Sequence, residues 1–311
     1  MIWPVPLLSF TDHSHWFSST PAHVTNPDGY VSFCWHQSGA AALASVCERI
    51  ASEKGRRVNI LIPGYFCGQS LRYLRSLPVQ LNFYLLSKDL LPDYENIRRL
   101  DESIDVFVHV HFFGRVDGQQ KSRLLANDLG AVLIEDCSHI ISPLLASKWY
   151  GDYLIFSPHK YFPLPKVGLL ISRFTLSDQG VKLNVTPTLV WLLRQIARRM
   201  FYKKKISNWG CIWSDTISQH QELGPSFLTS RAAISFITEF ESSAIARRVN
   251  TNRLLVKLET VPKWRELYSF NETSVPYLVG MLCDTPALAA HRFKILNRKF
   301  TCDSIAMCRF G

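Results

Sequence analysis

The chain has 311 residues, 47% of them hydrophobic, and its 35 basic and 25 acidic side chains leave a formal net charge of +10. Charged residues make up 19% of the sequence, which is low for a disordered protein. No apolar run reaches the roughly 18–20 residues needed to span a bilayer, which excludes an integral membrane protein. The eight cysteines form no Cys-x-x-Cys pair, and the first residues are not typical of a secretory signal. These figures predict a cytoplasmic globular protein of two domains.

Short apolar runs alternate with helical patterns between about residues 38 and 172. The predicted elements, in chain order, are strand 58–62, helix 70–76, strand 79–86, helix 94–100, strand 105–113, helix 119–129, strand 131–134 and two further apolar stretches at 153–156 and 168–172. This rhythm is typical of βαβ units and predicts a mostly parallel sheet covered by helices on both faces. Ligands of such sheets bind outside the carboxyl ends of the strands, so the polar residues that follow the strands are the candidates for function.

The alternation stops after about residue 175. Residues 190–205 predict one amphipathic helix with six basic side chains, residues 207–226 a polar loop, and residues 230–258 a long helix. The basic helix has three interpretations: the solvated face of a packed helix, a docking surface for anionic lipid or a lipid-linked substrate, and a nucleic-acid surface. No recognition motif accompanies the helix, which argues against nucleic acid and leaves peripheral membrane contact as the functional alternative.

Two predicted strand ends carry opposite charges. Asp136 lies at the carboxyl end of a buried strand, two residues after the apolar run 131–134, and Lys160 follows the next apolar stretch, 153–156. A carboxylate and an amine from neighbouring strand ends are what a pyridoxal phosphate (PLP) site requires, because the amine condenses with the cofactor aldehyde and the carboxylate pairs with its pyridinium nitrogen. The structural alternative is that Asp136 caps a helix and Lys160 is a solvated surface lysine.

Four pieces of sequence favour the cofactor site. They are SGAAAL at 38–43, IPGYFC at 62–67, HFFG at 111–114 with Asp117, and Glu135-Asp136 followed by Lys160. Their order and spacing resemble the PLP-dependent sugar aminotransferases of the DegT/StrS family over roughly residues 35–172 and, weakly, 225–285. The resemblance implies the α/β fold class, namely a three-layer αβα sandwich of the aspartate aminotransferase type with a mostly parallel sheet and a smaller, shortened C-terminal α+β domain. It divides the chain into a large PLP-binding domain, 1–225, and an incomplete small domain, 226–311.

The resemblance also implies roles for individual residues. Lys160 would be the lysine that bonds covalently to the cofactor, Asp136 the partner of the pyridinium nitrogen, and His139 a neighbour of the ring hydroxyl. The cofactor phosphate would lie at the opening turn of a helix, where backbone N–H groups and the positive end of the helix dipole attract anions. The residues implied in phosphate binding are Gly39, Ala40, Ala41 and Ser157.

Several assignments stay open at this stage. A flat side chain from 63–67 is expected to stack on the cofactor ring; Phe66 is our choice, and Tyr65 and Cys67 are the alternatives. His109 and His111 share one face of a strand, where metal binding and packing near the cofactor are the alternatives, and we predict no metal site.

The function implied by the resemblance is amino-group transfer from an amino acid such as glutamate to a keto-sugar, nucleotide-linked, in polysaccharide or secondary-metabolite biosynthesis. A homodimer is implied as well, and nucleic acid is not an expected partner. Two departures support an alternative, a catalytically inactive scaffold or binding protein of the same fold. The family's Asn-containing loop has no counterpart around 224–226, and the small domain is shorter than in the family.

Overall fold

The computed structural model describes residues 15–16, 27–176, 185–201, 225–259, 264–271 and 273–283. In chain order, the strands of its seven-stranded sheet are β1 (Ser32–His36), β2 (Val58–Pro63), β3 (Val79–Tyr84), β4 (Val106–Val110), β5 (Val132–Cys137), β6 (Tyr153–Phe156) and β7 (Gly168–Ser172). The strand order across the sheet is β3-β2-β4-β5-β6-β7-β1. Only β7 runs against its neighbours, so the predicted mostly parallel sheet is confirmed.

Seven helices and a small ribbon accompany this sheet in the described part of the chain. The helices are α1 (Gly39–Lys54), α2 (Gly68–Leu74), α3 (Tyr94–Arg98), α4 (Gln119–Leu129), α5 (Thr186–Phe201), α6 (Phe227–Thr238) and α7 (Glu241–Glu259). Two short strands, β8 (Trp264–Glu266) and β9 (Met281–Cys283), pair antiparallel in the ribbon. None of the helices in these ranges is both long and apolar enough to cross a membrane.

The two faces of the sheet are buried against different helices. Alternate residues of the central strands, such as Ile60, Val108 and Ile134, pack in one core cluster with apolar residues of α1. The residues between them, such as Leu61, Phe107 and Leu133, pack in another with Leu125 of α4. Because side chains of a strand point alternately to opposite faces, one hydrophobic run supplies both layers. This arrangement confirms the predicted three-layer αβα sandwich.

Several predicted elements have shifted ends, for example the strand predicted at 131–134, which runs on to Cys137, and three differences are larger. Strand β1 was not predicted, because its five residues are of mixed polarity and pair at the sheet edge with β7 alone. The predicted strand 105–113 ends at Val110, and a single 3-10 turn follows at 112–114. The predicted helix 230–258 is two helices, because Glu239 leaves helical geometry and a new helix begins at Glu241.

The remaining predictions for the second half of the chain are only partly covered. The basic segment 190–205 is helical as far as residue 201, and 202–205 lie outside the described residues, as does most of the loop 207–226. Residues 284–311 lie outside them too, so the incomplete small domain stays a prediction. The domain boundary at 225 is likewise still a prediction.

Candidate active site

Three chain segments meet at the carboxyl edge of the sheet. Strands β5 and β6 are parallel neighbours, and β1 ends at the same edge, where His36 pairs with Gly168 at the start of β7. The residues that follow β1, β5 and β6 therefore come together, although they are far apart in sequence. These residues are Ser38–Ala41, Ser138–His139 and Ser157–Lys160.

The first turn of α1 forms a small cradle with two serines. Ser38 caps the helix, and its Oγ accepts a hydrogen bond from the Ala41 N–H at 3.2 Å. A Cβ atom on Gly39 would lie 2.5 Å from Oγ of Ser157 and 2.8 Å from Oγ of Ser138, which are closer than real Cβ contacts. Ser157 donates to Ser138 at 3.1 Å. Two hydroxyls and the first N–H groups of a helix thus surround one point, which is an arrangement that binds phosphate.

Lys160 and Asp136 are brought together next to this cradle. Lys160 ends a 3-10 turn directly after β6 and is half-buried. Burial lowers the pKa of its amine, while the nearby carboxylate of Asp136 and the thiol of Cys67 act in the opposite direction. The carboxylate is held in place because Oδ1 of Asp136 accepts a 2.9 Å hydrogen bond from the Ser138 N–H. An amine whose positive charge is disfavoured by burial, close to a fixed carboxylate, is the pair that the sequence predicted.

His139 is stacked between two aromatic rings. Its ring centroid lies 5.8 Å from that of Phe113 and 4.7 Å from that of Tyr277, with nearly parallel planes in both pairs. The backbone N–H of Phe113 donates to Nδ1 of His139 at 3.4 Å. Burial, with a smaller contribution from the charge of Lys160, lowers the pKa of His139 well below its usual value. The imidazole is therefore neutral and fixed in orientation beside Lys160.

Gly114 allows the segment carrying Tyr277 to approach this cluster. Its φ of +95° lies in the left-handed region, and a Cβ atom there would overlap the backbone carbonyl of Val275. The Val275 N–H donates to the Gly114 carbonyl at 3.1 Å, and the Tyr277 N–H donates to the Phe113 carbonyl at 2.8 Å. A glycine is needed at this position because the two backbones pass too close together to leave room for a side chain.

The structure separates the three candidates for the group that stacks on the cofactor. The Tyr65 ring contacts those of Phe112 and Phe113, with centroids 5.6 and 6.4 Å apart. Tyr65 and Phe66 are both partly buried against the core cluster on the α1 face of the sheet. Cys67 is exposed, and of the three it is the one within electrostatic reach of Lys160. The assignment of Phe66 stays a prediction, and Cys67 is its strongest competitor.

His109 and His111 lie in a buried polar network on the other face of the sheet. Nε2 of His111 is 2.6 Å from Oε2 of Glu135, and Nδ1 of His109 is 2.9 Å from Oγ of Ser122. Glu135 also accepts the N–H of Tyr150 at 2.7 Å. Because Glu135 and Asp136 are successive residues of β5, their side chains point to opposite faces. The network therefore does not pack at the Lys160 site.

The same network contains a group of side chains that could hold a metal ion. Donor atoms of His111, Glu135 and Cys137 lie within 4.8 Å of one another, and all three residues are buried. The carboxylate of Glu135 is already occupied by protein hydrogen bonds, and burial raises the pKa of Cys137 well above its usual value, so its thiol keeps its proton. The grouping is therefore better explained as interior hydrogen bonding than as a metal site.

A cavity of about 410 Å³ lies beside β1 and α1. Its lining includes His36, Ser45 and Arg49, and burial lowers the pKa of His36 to about 4. The lining contains neither Lys160 nor Asp136, so the chemistry argues for the strand ends as the candidate site rather than for this cavity.

No protein-family model and no curated protein matches the sequence. Solved structures do match. Helicobacter pylori PseC, an aminotransferase involved in the biosynthesis of pseudoaminic acid, aligns over 96% of this chain and 82% of its own, with a TM-score of 0.63 and 11% identity. This chain has the fold of the PLP-dependent sugar aminotransferases.

Two further solved structures share this aminotransferase fold. DesI, solved in the presence of its TDP-sugar product, aligns over 94% of this chain and 76% of its own, with a TM-score of 0.59 and 14% identity. ColD, a GDP-4-keto-6-deoxymannose-3-dehydratase solved with bound GDP-perosamine, aligns over 93% and 74%, with a TM-score of 0.60 and 13% identity. Since ligands of such sheets bind outside the carboxyl ends of the strands, the carboxyl edge of the sheet is the place to look for a cofactor site.

The residues at that edge fit PLP. The space that a Cβ atom of Gly39 would fill is bordered by the hydroxyls of Ser138 and Ser157, which suits a phosphate group. Lys160 supplies an amine and Asp136 a carboxylate within electrostatic reach of each other. Ser138 was missed by the sequence reasoning, and its only sequence signal was its position directly after a strand end.

Proposed function

We propose that the chain is a PLP-dependent aminotransferase that moves an amino group from an amino acid such as glutamate to a nucleotide-linked keto-sugar, in polysaccharide or secondary-metabolite biosynthesis. The observation that carries the proposal is the half-buried amine of Lys160 facing Asp136 beside the Gly39 cradle. Two solved structures of this fold support the substrate class, since DesI was solved with its TDP-sugar product and ColD with bound GDP-perosamine.

In this proposal PLP, when bound, supplies an aldehyde that bonds to amines and a ring that accepts electrons from the reacting carbon. The amine of Lys160 would attach to the cofactor and afterwards carry a proton to and from that carbon. Burial lowers the pKa of this amine, which increases the fraction that is unprotonated and able to react. The carboxylate of Asp136 would keep a proton on the ring nitrogen. The neutral ring of His139 would orient the cofactor by a hydrogen bond to its hydroxyl.

The cradle at the start of α1 would bind the cofactor phosphate. The N–H groups of Gly39 and Ala40 lie in the first turn of α1, where the helix dipole favours an anion, whereas the Ala41 N–H already donates to Oγ of Ser38 and would have to exchange that bond for one to the phosphate. The Ser157 hydroxyl, which is buried, and that of Ser138 would complete the site. The net charge of +10 suits a substrate that carries a diphosphate. A homodimer and a cytoplasmic location are part of the same proposal. Peripheral membrane contact through 190–205 is a separate proposal, which does not depend on the transferase activity.

Covalent attachment tests the proposal directly. Purified protein is incubated with PLP, reduced with borohydride and digested, and the peptides are analysed by mass spectrometry. We expect a mass increase on Lys160, none in the Lys160→Ala variant, and an unchanged result in Lys166→Ala, a matched control on a nearby exposed lysine. Labelling spread over many surface lysines, or none at all, would overturn the assignment.

A second experiment separates the enzyme from a binding protein of the same fold. The PLP-loaded protein is mixed with glutamate and a panel of nucleotide keto-sugars, and the products are identified by mass. An aminated sugar that requires Lys160 supports the transferase. Protein that takes up PLP at Lys160 but aminates no sugar with any amino donor would favour the scaffold, the alternative suggested by the absence of an Asn around 224–226.

A further inference from the structure

Helix α5 turns its apolar side outward. Four of its aliphatic side chains are substantially exposed, namely Leu189 at 47%, Val190 at 38%, Leu193 at 66% and Ile196 at 46%. Leu189, Leu193 and Ile196 are spaced four and three residues apart, so they form one stripe along the helix. Such a stripe normally packs into a protein core. Here it is presented on the outside of the described fold.

The inner side of α5 explains why the helix holds this orientation. Its buried positions include two polar residues, Thr188 and Gln195. The hydroxyl of Thr188 is 2.8 Å from that of Thr229 and also contacts Ser226, which caps α6. Trp191 is partly buried against the core. Leu192 is partly buried against the same core. These contacts fix α5 by a face of mixed polarity, so rotating the exposed aliphatic stripe inward would break a buried hydroxyl cluster.

The charge around the stripe is of one sign. Residues 186–205 contain six basic side chains and no acidic one. A symmetric contact between two copies through this helix would bring like charges together, and the centres of protein interfaces are poor in lysine. An anionic membrane surface offers the opposite charge and an apolar layer beneath it, which matches a helix with an aliphatic stripe and basic flanks.

We propose that α5 is an interfacial helix that binds the protein to an anionic lipid surface through Leu189, Leu193 and Ile196. The aliphatic stripe would enter the boundary between headgroups and acyl chains, and the positive charge carried by the sequence 186–205 would favour an anionic surface over a neutral one. The inference does not depend on the proposed transferase activity, because it needs only the exposed stripe and the charge.

Vesicle sedimentation tests this inference. The full-length protein is mixed with vesicles of phosphatidylcholine alone or with about one-third phosphatidylglycerol, at low and at high salt. We expect binding to the anionic vesicles that weakens as salt screens the charges. Leu193→Asp should weaken binding about tenfold or more, because a leucine side chain no longer leaves water. Val256→Asp is the matched control, since Val256 is 62% exposed on α7.

Other occupants of the stripe give different results. If Leu193→Asp changes the molar mass in solution, measured by light scattering, without changing vesicle binding, the stripe is an interface between copies and the proposal is wrong. Binding of equal strength to neutral vesicles, or equal loss in Leu193→Asp and Val256→Asp, would also overturn it. A lower thermal stability of Leu193→Asp without vesicles would show that the stripe is covered by the chain itself.

Discussion

The cradle at the start of α1 makes a sharp prediction for Gly39→Ala. The added methyl group would lie 2.5 Å from Oγ of Ser157 and 2.8 Å from Oγ of Ser138. Both hydroxyls belong to short side chains, so they can rotate away, but they then leave the positions in which they face the phosphate. The substitution therefore acts mainly on cofactor binding, and less on folding.

The magnitude follows from what the rotation removes. A hydrogen bond to a charged group contributes about 1.5–3 kcal/mol, so losing one of them should weaken PLP binding roughly tenfold to a hundredfold. Overpacking costs about 1–3 kcal/mol in the protein without cofactor. Alanine in place of glycine in a helix stabilises the folded protein by about 0.5–1 kcal/mol. The free energy of unfolding should thus fall by about 0–2.5 kcal/mol.

Equilibrium titration with PLP and urea unfolding measure the two effects separately. Gly68→Ala is the matched control, because Gly68 is also the first residue of its helix, α2, and a Cβ atom there meets nothing within 4 Å. We expect Gly68→Ala to bind PLP like the unmodified protein. The cradle would be refuted if Gly39→Ala bound PLP with unchanged affinity, or if both variants were impaired alike.

Two further substitutions test the electrostatics. Asp105→Asn should lower the free energy of unfolding by about 1–2 kcal/mol at pH 7, because hydrogen bonds, above all from Arg56, outweigh burial and lower the pKa of Asp105 from 3.8 to about 2. Because the pKa of Asp105 is lower in the folded protein, this contribution is complete above about pH 4 and is lost as the pH falls toward about 2. Urea unfolding at several pH values should therefore show the free energies of unfolding of the two proteins converging at low pH. A difference that stays constant with pH would contradict this prediction. Asp136→Asn should lower the pKa of Lys160 further, because a neighbouring negative charge is removed, and the pH profile of lysine labelling in cofactor-free protein should move to lower pH. An unchanged pH profile would show that the charge of Asp136 does not act on Lys160.

Much of the sheet could be predicted from the sequence because its signals are local. Helix α4 was predicted at its observed bounds, since Gly130 ends it in the left-handed conformation with φ of 63°. Strand β2 is an apolar run interrupted only by Asn59, and the Pro63–Gly64 signal at its end is visible in the sequence. The pairing of Asp136 with Lys160 was predicted because both follow apolar runs, and parallel strands bring such ends to one edge.

The parts that were missed depend on contacts between distant segments. Ser138 belongs to the cradle only because β1, β5 and β6 end together, and a single serine after a strand carries no signal of its own. Tyr277 reaches His139 because the chain passes Gly114 at close range, more than 150 residues further along. Periodicity and spacing describe neighbours along the chain, so they could not choose among Tyr65, Phe66 and Cys67 as the side chain expected to stack on the cofactor ring.

Strand β5 shows how one short run supports both structure and chemistry. Glu135 points into the buried network with His111, and Asp136 points to the opposite face, where Lys160 lies. A strand alternates its side chains with a period of two, so a slip of one residue in the pairing of β5 would exchange the two carboxylates. The buried Glu135, held by His111 and by the N–H of Tyr150, opposes such a slip because the exchange would leave an unpaired charge in the core. The interior network thus acts on the site indirectly, by fixing the register that places Asp136 beside Lys160.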